Sequence, residues 1–268
     1  MTSPLGERVG AGRTAEVHVW SDGWVIKLLR PGVDPAELET EAELTRVAAG
    51  AGAPAPAVDG IETVGERQGL VIEFVGTESI VPAMLAAPWK IGRWGRYLGE
   101  THAEILRCRP HGLGSVKERL AERIADAPVD DAVRAEAVKR LRSAPDGSSL
   151  LHGDFHPQNV FDTPNGPRAI DWLDATTGHP AADIVRSLWL LSPDALPEGI
   201  PHRGLTRSLM ALLRARYVAT VLRVMDLELA DLGIWQLPVT VARLTEGIAE
   251  ERTELMKAIQ NSVAIESS

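Results

Sequence analysis

The fold of this chain is decided by the stretch LLHGDFHPQNVF at residues 150–161, which is followed by AIDWLD at residues 169–174. The apolar residues at the ends of these stretches predict short strands. The segment between them, DTPNGP at residues 162–167, is rich in turn-forming residues and predicts a hairpin loop. Such a hairpin would set Asn159 and Asp171 side by side at one end of a small sheet.

Asp154 lies in the loop just before this hairpin, so two carboxylates and one amide converge on one place. Hard oxygen ligands without cysteine suit magnesium rather than zinc or copper. Transfer of a phosphoryl group from a metal-bound nucleotide needs such a set. One carboxylate orients or deprotonates the attacking hydroxyl, while the amide and the other carboxylate hold magnesium against the phosphate oxygens. Turn formation alone would explain Asp154 or Asn159 singly, but not the whole spacing.

The motifs HGDFHPQN and IDW resemble the signature of the aminoglycoside phosphotransferase and choline kinase group, which are relatives of the protein kinases. The resemblance extends over essentially the whole chain. It implies a protein-kinase-like bilobal α+β fold and an ATP- and Mg2+-dependent enzyme. Asp154 is then the catalytic residue, Asn159 and Asp171 are the metal ligands, and His152 is a structural part of the loop.

A second stretch, GHPAAD at residues 178–183, resembles the segment that follows in the same family. The family role of its last residue, Asp183, is to brace the catalytic loop. We also expect Asp183 to cap a helix over residues 184–191, because aspartate is favoured at helix N-termini.

The glycine-containing stretch near the N-terminus resembles the phosphate-binding loop of protein kinases. Gly10, Gly12 and Val17 match the pattern Gly-x-Gly-x-x-Gly-x-Val, with Ala15 in the place of the third glycine. A Gly-x-Gly pair occurs in many loops and does not by itself identify a phosphate-binding loop. Here the pair is in register with Val17 and with the lysine strand that follows, which supports this interpretation.

The strand Val25-Ile26-Lys27 resembles the Val-Ala-Ile-Lys strand of kinases, whose lysine neutralises the α- and β-phosphates. The helix glutamate that pairs with Lys27 is assigned to Glu41 by its distance from the end of the helix. Glu37 and Glu43 remain alternatives.

The stretch LVIEFV at residues 70–75 resembles the hinge between the two kinase lobes. Backbone groups of Glu73 and Val75 would bond adenine there, and Val17 and Val25 would line the adenine pocket. The resemblance divides the chain into a nucleotide-binding lobe at residues 1–75 and a catalytic, acceptor-binding helical lobe at residues 76–268, with the hinge at about 73–76.

Hydrophobic periodicity predicts the order β-β-α-β-β before residue 76 and helices after it. The N-terminal elements are a strand hairpin, a helix that begins at Asp34-Pro35, and strands at 58–64 and 70–75. Helices are predicted at residues 89–106, 115–141 with a break near 127–128, 205–232 and 239–259. In the last helix, Glu246, Glu250 and Glu254 are expected to form a solvated face.

Composition excludes several classes of protein. Lys and Arg total 28 and Asp and Glu total 37, which gives a formal net charge of −9 at pH 7. An acidic chain of this kind is unsuited to general nucleic-acid binding. The single cysteine, Cys108, makes neither an intramolecular disulfide nor a cysteine-rich zinc site. No stretch reaches the roughly 18 apolar residues of a membrane span. We therefore expect a cytoplasmic protein with no membrane partner and no implied protein partner.

The expected acceptor is a small hydroxylated molecule, because the loop after Asp171 is too short to carry a peptide substrate. A cationic acceptor is one of the candidate classes. An aminoglycoside-type antibiotic, with resistance as the role, is the first interpretation. The carboxylates available for it are Asp174, Asp183, Asp226, Glu228 and Asp231. The alternative is a metabolic kinase of choline, ethanolamine, thiamine or a sugar. A choline-like substrate would need an aromatic cage, for which the candidates are Trp172, Trp189 and Trp235. A catalytically silent nucleotide-binding scaffold is disfavoured, because the lysine, the base and the metal ligands are all present.

Overall fold

The computed structural model describes residues 5–12, 14–193 and 203–264. Its N-terminal part is a five-stranded antiparallel sheet with the spatial order β1-β2-β3-β5-β4. The strands are β1 (Arg8–Ala11), β2 (Ala15–Ser21), β3 (Trp24–Leu29), β4 (Val58–Val64) and β5 (Arg67–Glu73). The expected β-β-α-β-β order lacked β1, because the glycine-containing stretch was interpreted as a loop. The rest of the predicted order is confirmed.

The single helix of this part, α1 (Ala36–Gly50), begins directly after Asp34-Pro35, as predicted. The Asp34 carboxylate accepts a hydrogen bond from the Ala36 amide at 2.9 Å. The buried side of α1 carries Leu38, Glu41, Ala42, Thr45 and Ala48. Glutamate is rarely buried without a partner, so the position of Glu41 on this side requires a cation from the sheet.

Helices dominate the chain after the sheet. They are α2 (Ile80–Ala86), α3 (Ile91–Arg107), α4 (Val116–Asp126), α5 (Asp131–Ser143), α6 (Pro180–Leu190), α7 (Arg203–Met225), α8 (Gly233–Arg243) and α9 (Ala249–Ala264). The predicted break near residues 127–128 is confirmed by the gap between α4 and α5. Within the described parts of the chain, no helix is both long and apolar enough to cross a membrane.

Helices α3 and α7 pack with their backbones in close approach. A Cβ atom at Gly95 would lie 2.5 Å from the carbonyl oxygen of Leu213, and one at Gly99 would lie 2.8 Å from that of Tyr217. Glycine is therefore required at both positions for this packing. The contact is part of a single large core that extends through the helices.

Two of the predicted helices are shorter than expected. The helix predicted at 205–232 ends at Met225, before Asp226, which has φ 55°. The helix predicted at 239–259 is interrupted after Arg243 by a 3-10 turn and by Gly247, which has φ 67° and stops helical hydrogen bonding. Glu246 is exposed, as expected, and its carboxylate also forms ion pairs with Arg123, Arg186 and Arg243.

Two small two-stranded sheets contain the stretches at residues 150–161 and 169–174. Strand β6 (Ser149–Leu151) pairs with β9 (Thr176–Gly178), and β7 (Val160–Thr163) pairs with β8 (Gly166–Ala169). The predicted hairpin is confirmed, whereas β9 was not expected. Together these sheets hold residues 152–159 and 170–175 as neighbouring loops.

Candidate active site

The loop that follows β6 is fixed first by His152, whose side chain is fully buried. Its Nε2 atom donates to the carbonyl of Ile170 at 3.1 Å, and its Nδ1 atom accepts from the Asp154 amide at 3.2 Å. Burial keeps the pKa of His152 below its usual value, so the ring is neutral. This geometry agrees with the structural role expected for His152.

Asp183 fixes the backbone of the same loop. Its carboxylate accepts hydrogen bonds from the backbone amides of His152 at 2.6 Å and of Gly153 at 3.0 Å. Burial alone would raise the pKa of Asp183, but the hydrogen bond from His102 and the amides lower it. The predicted cap role is wrong, because α6 begins at Pro180 and is capped by His179. Asp183 lies inside the first turn and points to the loop instead.

His102 is a member of this site that sequence reasoning missed. Its Nε2 atom donates to Asp183 at 3.0 Å, and its Nδ1 atom accepts from the Tyr217 hydroxyl at 2.6 Å. All three side chains are buried. No sequence motif indicates a role for this histidine, because its partners lie on other helices: His102 is on α3, and Tyr217 is on α7.

Asp154 projects from the loop between an amide and two basic groups. The side-chain amide of Asn159 donates to its Oδ2 atom at 3.1 Å, and the Nε2 atom of His156 lies 3.4 Å from the same oxygen. The Nη2 atom of Arg186 lies 3.8 Å from Oδ1. Burial opposes ionisation, yet His156 and Arg186 lower the pKa of Asp154 to about 2. The carboxylate is therefore ionised at neutral pH.

Asp171 follows β8 in a left-handed backbone conformation, with φ 68°. The Ile170 amide donates to the Asn159 carbonyl at 2.9 Å, so the hairpin brings Asn159 and Asp171 to the same end, as expected. The side chain of Asp171 is 46% exposed, and its Oδ1 atom lies 3.6 Å from Nζ of Lys27. This pair connects the hairpin to the N-terminal sheet.

The donor set at this end fits a magnesium ion. The amide nitrogen of Asn159 is occupied by Asp154, through its backbone and side-chain oxygens, which leaves the amide oxygen for a cation. The carboxylate of Asp171 is the second donor. Among the described residues, no group of three or more His, Cys, Asp or Glu could hold a metal. A site with two protein oxygens suits Mg2+, which retains waters and phosphate oxygens as its other ligands.

Lys27 on β3 forms an ion pair with Glu41 on α1. Its Nζ atom lies 2.7 and 2.9 Å from the two carboxylate oxygens of Glu41, whereas Glu37 and Glu43 are exposed. Burial opposes the charge of Lys27, but Glu41 and Asp171 together raise its pKa. The lysine therefore remains charged and points into the cleft.

A cleft of about 400 Å³ lies between the sheet and the hairpin. It is lined by every residue that the sequence suggested for nucleotide binding: Gly10, Gly12, Val17, Val25, Lys27, Glu41, Glu73 and Val75. Asp171 lies at the same cleft, and so does Phe161, which sequence reasoning missed. The Gly12 carbonyl accepts hydrogen bonds from Arg30 at 3.1 and 3.2 Å, which fixes the end of the glycine-containing stretch.

The carboxylates expected for a cationic acceptor are mostly engaged elsewhere. Asp174 forms ion pairs with Arg119 at 2.9 Å and Arg123 at 2.8 Å. Asp183 is buried, and Asp231 accepts from the Glu228 amide at 2.7 Å. These carboxylates therefore do not form an open acidic wall beside Asp154.

The tryptophans expected for an aromatic cage belong to the interior. Trp172 and Trp235 are fully buried, and the indole of Trp172 donates to the Ala169 carbonyl at 2.8 Å. Trp189 is partly buried and donates to Thr240 at 3.0 Å. The three rings pack in or against the core and do not form an aromatic cage at the cleft.

The fold and the arrangement of the cleft define the class of this protein as a kinase-like phosphotransferase. Residues 6–216 match the sequence model of the family APH, described as "Phosphotransferase enzyme family". The chain belongs to this family, and it is a small-molecule kinase by that membership. No curated protein sequence matches it.

Solved structures of kinases share the fold at low sequence identity. Amicoumacin kinase hAmiN, in complex with AMP-PNP, Ca2+ and Ami, has a TM-score of 0.58 and 13% identity, covering 94% of this chain and 86% of that one. Choline kinase LicA from Streptococcus pneumoniae has a TM-score of 0.53 and 14% identity, covering 96% and 91%. Aminoglycoside phosphotransferase APH(3'')-Id from Streptomyces rimosus, in complex with ADP and streptomycin, has a TM-score of 0.53 and 16% identity, covering 88% and 93%. These likenesses establish the fold and leave the acceptor open.

Proposed function

We propose that this protein transfers the γ-phosphoryl group of ATP to a hydroxyl group of a small molecule in a magnesium-dependent reaction. The observation that carries the proposal is two sets of charged and polar groups that the hairpin joins: Glu41, Lys27 and Asp171 at the cleft, and Asn159 with Asp154 in the neighbouring loop. The Ile170 amide donates a hydrogen bond to the Asn159 carbonyl at 2.9 Å and connects the two sets. The separations within the sets are 2.7 Å for Glu41–Lys27, 3.6 Å for Lys27–Asp171 and 3.1 Å for Asn159–Asp154. Phosphoryl transfer depends mainly on positioning and on charge stabilisation, which such an arrangement supplies.

In this proposal the nucleotide lies in the 400 Å³ cleft. Adenine lies against the side chains of Val17 and Val25, which line its pocket, and bonds backbone groups of Glu73 and Val75 at the hinge. Lys27, held by Glu41, contacts the α- and β-phosphates. Asn159 and Asp171 hold Mg2+, which when bound neutralises charge on the phosphate oxygens. Residues 1–75 and 76–268 are then the nucleotide lobe and the catalytic lobe.

Asp154 acts on the acceptor. Its ionised carboxylate accepts a hydrogen bond from the attacking hydroxyl group. This hydrogen bond orients a lone pair of the hydroxyl oxygen toward the γ-phosphorus. The new oxygen–phosphorus bond forms as the bond from the γ-phosphorus to the ADP oxygen breaks, and the hydroxyl proton passes late in the step through the Asp154 carboxylate to solvent water. A carboxylate with a pKa of about 2 is a weak base. Asp154 therefore contributes chiefly by orienting the hydroxyl.

The acceptor that we propose first is an aminoglycoside-type antibiotic, with resistance as the role. Its support is the net charge of −9 and the fold shared with an aminoglycoside phosphotransferase solved with streptomycin. A metabolic alcohol is the second candidate. The pairing of Asp174 with Arg119 and Arg123 favours it, because a polycation would have to compete with two guanidinium groups for that carboxylate.

The experiment that tests the proposal measures ADP release from Mg-ATP with a panel of acceptors. The panel contains aminoglycosides, choline, ethanolamine, thiamine, amino sugars and nucleosides, with Asp154→Asn as the blank. Turnover by the wild type with one class, absent in the variant, would support the proposal and name the acceptor. Equal ADP release by both proteins, or no binding of Mg-ATP by the wild type, would contradict it.

A further inference from the structure

Arg186 on α6 touches two consecutive residues of the catalytic loop. Its Nε atom donates to the Gly153 carbonyl, and its Nη2 atom lies 3.8 Å from Oδ1 of Asp154. The side chain is only 12% exposed. Arg186 is not among the residues that line the nucleotide cleft. Its guanidinium contacts both the backbone before Asp154 and the carboxylate of Asp154 itself.

Glu246 holds this arginine in place. Its Oε1 atom accepts from Nη1 of Arg186 at 2.5 Å and lies 3.4 Å from Nη1 of Arg123. Its Oε2 atom accepts from Nη1 of Arg243 at 2.7 Å. Glu246 lies in the turn after α8, so the anchor of Arg186 comes from the C-terminal part of the chain.

The row of charges continues into α9. Arg243 donates to both carboxylate oxygens of Glu251 at 2.8 Å, and both side chains are buried. Two parallel bonds between a guanidinium and a carboxylate fix both partners in orientation as well as in distance. The resulting row is Glu251, Arg243, Glu246, Arg186 and Asp154. Its first three members lie beyond residue 216, where the family match ends.

We infer that Arg186 and Glu246 are positioning residues for Asp154, and that residues 243–251 are thereby part of the catalytic apparatus. The Arg243–Glu251 pair is buried, and a buried ion pair adds little net stability over apolar packing, so its main effect here is to fix geometry. Arg186 holds the Gly153 carbonyl and the Asp154 carboxylate in one orientation. Glu246 prevents the guanidinium from turning. The inference rests on the proposed function, since that gives Asp154 its role.

The first test separates kcat from KM. Arg186→Met should lower kcat by about 10- to 100-fold, the cost of a small misplacement, and leave KM for ATP within about twofold. Arg186→Lys keeps the charge but cannot bridge three partners, so it should recover part of kcat. Glu246→Gln should lower kcat in the same direction. The double variant Arg186→Met/Glu246→Gln should be little worse than Arg186→Met, because residues in one row are not additive.

Arg140→Met is the matched control. Arg140 has a similarly buried side chain and joins α5 to α9 through Glu136 and the Ser262 carbonyl. It should lose stability without loss of kcat. If Arg186→Met keeps kcat within twofold of the wild type, or if Arg140→Met lowers kcat as much, the inference is wrong.

A second measurement does not depend on the acceptor. Hydrogen–deuterium exchange of the peptide that covers residues 150–158 should be faster in Arg186→Met and in Glu246→Gln than in the wild type and in Arg140→Met. Unchanged exchange in both variants would overturn the inference even if no acceptor has been found. A wild type that neither binds Mg-ATP nor releases ADP would contradict the proposed function instead, while the exchange result would still decide on the positioning.

Discussion

Lys27 and Asp171 face each other where the N-terminal sheet meets the C-terminal hairpin, with 3.6 Å between Nζ and Oδ1. Lys27 is the more buried of the two, and its second partner, Glu41, lies 2.7 Å away. Two carboxylates around one ammonium group keep the lysine charged and extended into the cleft. A metal-bound triphosphate would find a fixed positive charge between two elements that are distant in the sequence.

Replacement of this lysine should therefore damage transfer more than folding. We expect Lys27→Met to lower kcat/KM by about 100-fold or more, since it removes a fixed charge beside the developing phosphate charge. Steady-state ADP release against Mg-ATP concentration measures the effect. Lys90→Met, on an exposed lysine, serves as the control. Turnover of Lys27→Met near that of the control would contradict the phosphate role.

Asp154→Asn should separate chemistry from nucleotide binding. The amide cannot accept the hydroxyl hydrogen bond as the carboxylate does, so turnover should fall by about 10²- to 10⁴-fold. Because Asp154 contacts Asn159, His156 and Arg186 rather than the adenine side of the cleft, the Kd for Mg-ATP should stay within about threefold. Calorimetric titration measures this Kd. A parallel loss of binding would mean that Asp154 is structural.

Asp171→Ala should raise the magnesium concentration needed for ATP binding, because it removes the only carboxylate of the proposed donor set. The measurement is ATP affinity as a function of Mg2+ concentration. Asp162→Asn, on the same hairpin and hydrogen-bonded to Tyr97 at 2.9 Å, is the matched control. An unchanged magnesium dependence in Asp171→Ala would refute its metal role.

His152 makes the stability of the protein depend on pH. Its folded pKa lies below the unfolded value of about 6.5 because the ring is buried. The unfolded chain therefore binds a proton first as the pH falls. The stabilisation by neutral His152 is complete above about pH 6.5 and is lost below it, with a slope of up to about 1.4 kcal/mol per pH unit.

Denaturant unfolding between pH 7.5 and about 5 measures this slope. Replacement of His152 by Gln should make the protein less stable at pH 7.5 and should flatten the slope. His179 is shifted in the same direction by burial and will leave a residual slope. A variant with the slope of the wild type would show that His152 is not responsible.

Gly153 should tolerate no side chain. Its φ is 80°, and an added Cβ would lie 2.3 Å from the carbonyl oxygen of Asp174. We expect Gly153→Ala to destabilise the protein and to abolish turnover, because the loop must shift away from Asp183 and Arg186. Gly166→Ala is the control: its φ of 100° is also strained, but nothing lies within 4 Å of the new Cβ. Thermal unfolding and kcat are measured for both variants. A larger loss in Gly153→Ala than in Gly166→Ala is the effect of the Cβ contact with Asp174, because backbone strain is present in both.

The sequence by itself determined the class of fold, and the residues that it suggested for nucleotide binding all line one cleft, to which the structure adds Phe161. Short motifs carried this information because they are local: the loop around Asp154, the hairpin end with Asn159 and Asp171, and the lysine strand each occupy a few consecutive residues. The spacing to the end of α1 favoured Glu41 but left Glu37 and Glu43 as alternatives. The contact between Lys27 and Glu41 in the structure decides among them.

The tertiary structure alone decided which groups from separate helices surround Asp154 and its loop. Glu246 was expected to face solvent, and it does, but the fold also pairs it with Arg186, which periodicity did not indicate. His102 belongs to no sequence motif. It contacts Asp183 because Gly95 and Gly99 allow α3 and α7 to pack with their backbones close together. Such contacts join residues from separate helices, and they depend on packing and helix breaks that periodicity does not encode. The acceptor side of the site was therefore beyond the reach of sequence patterns.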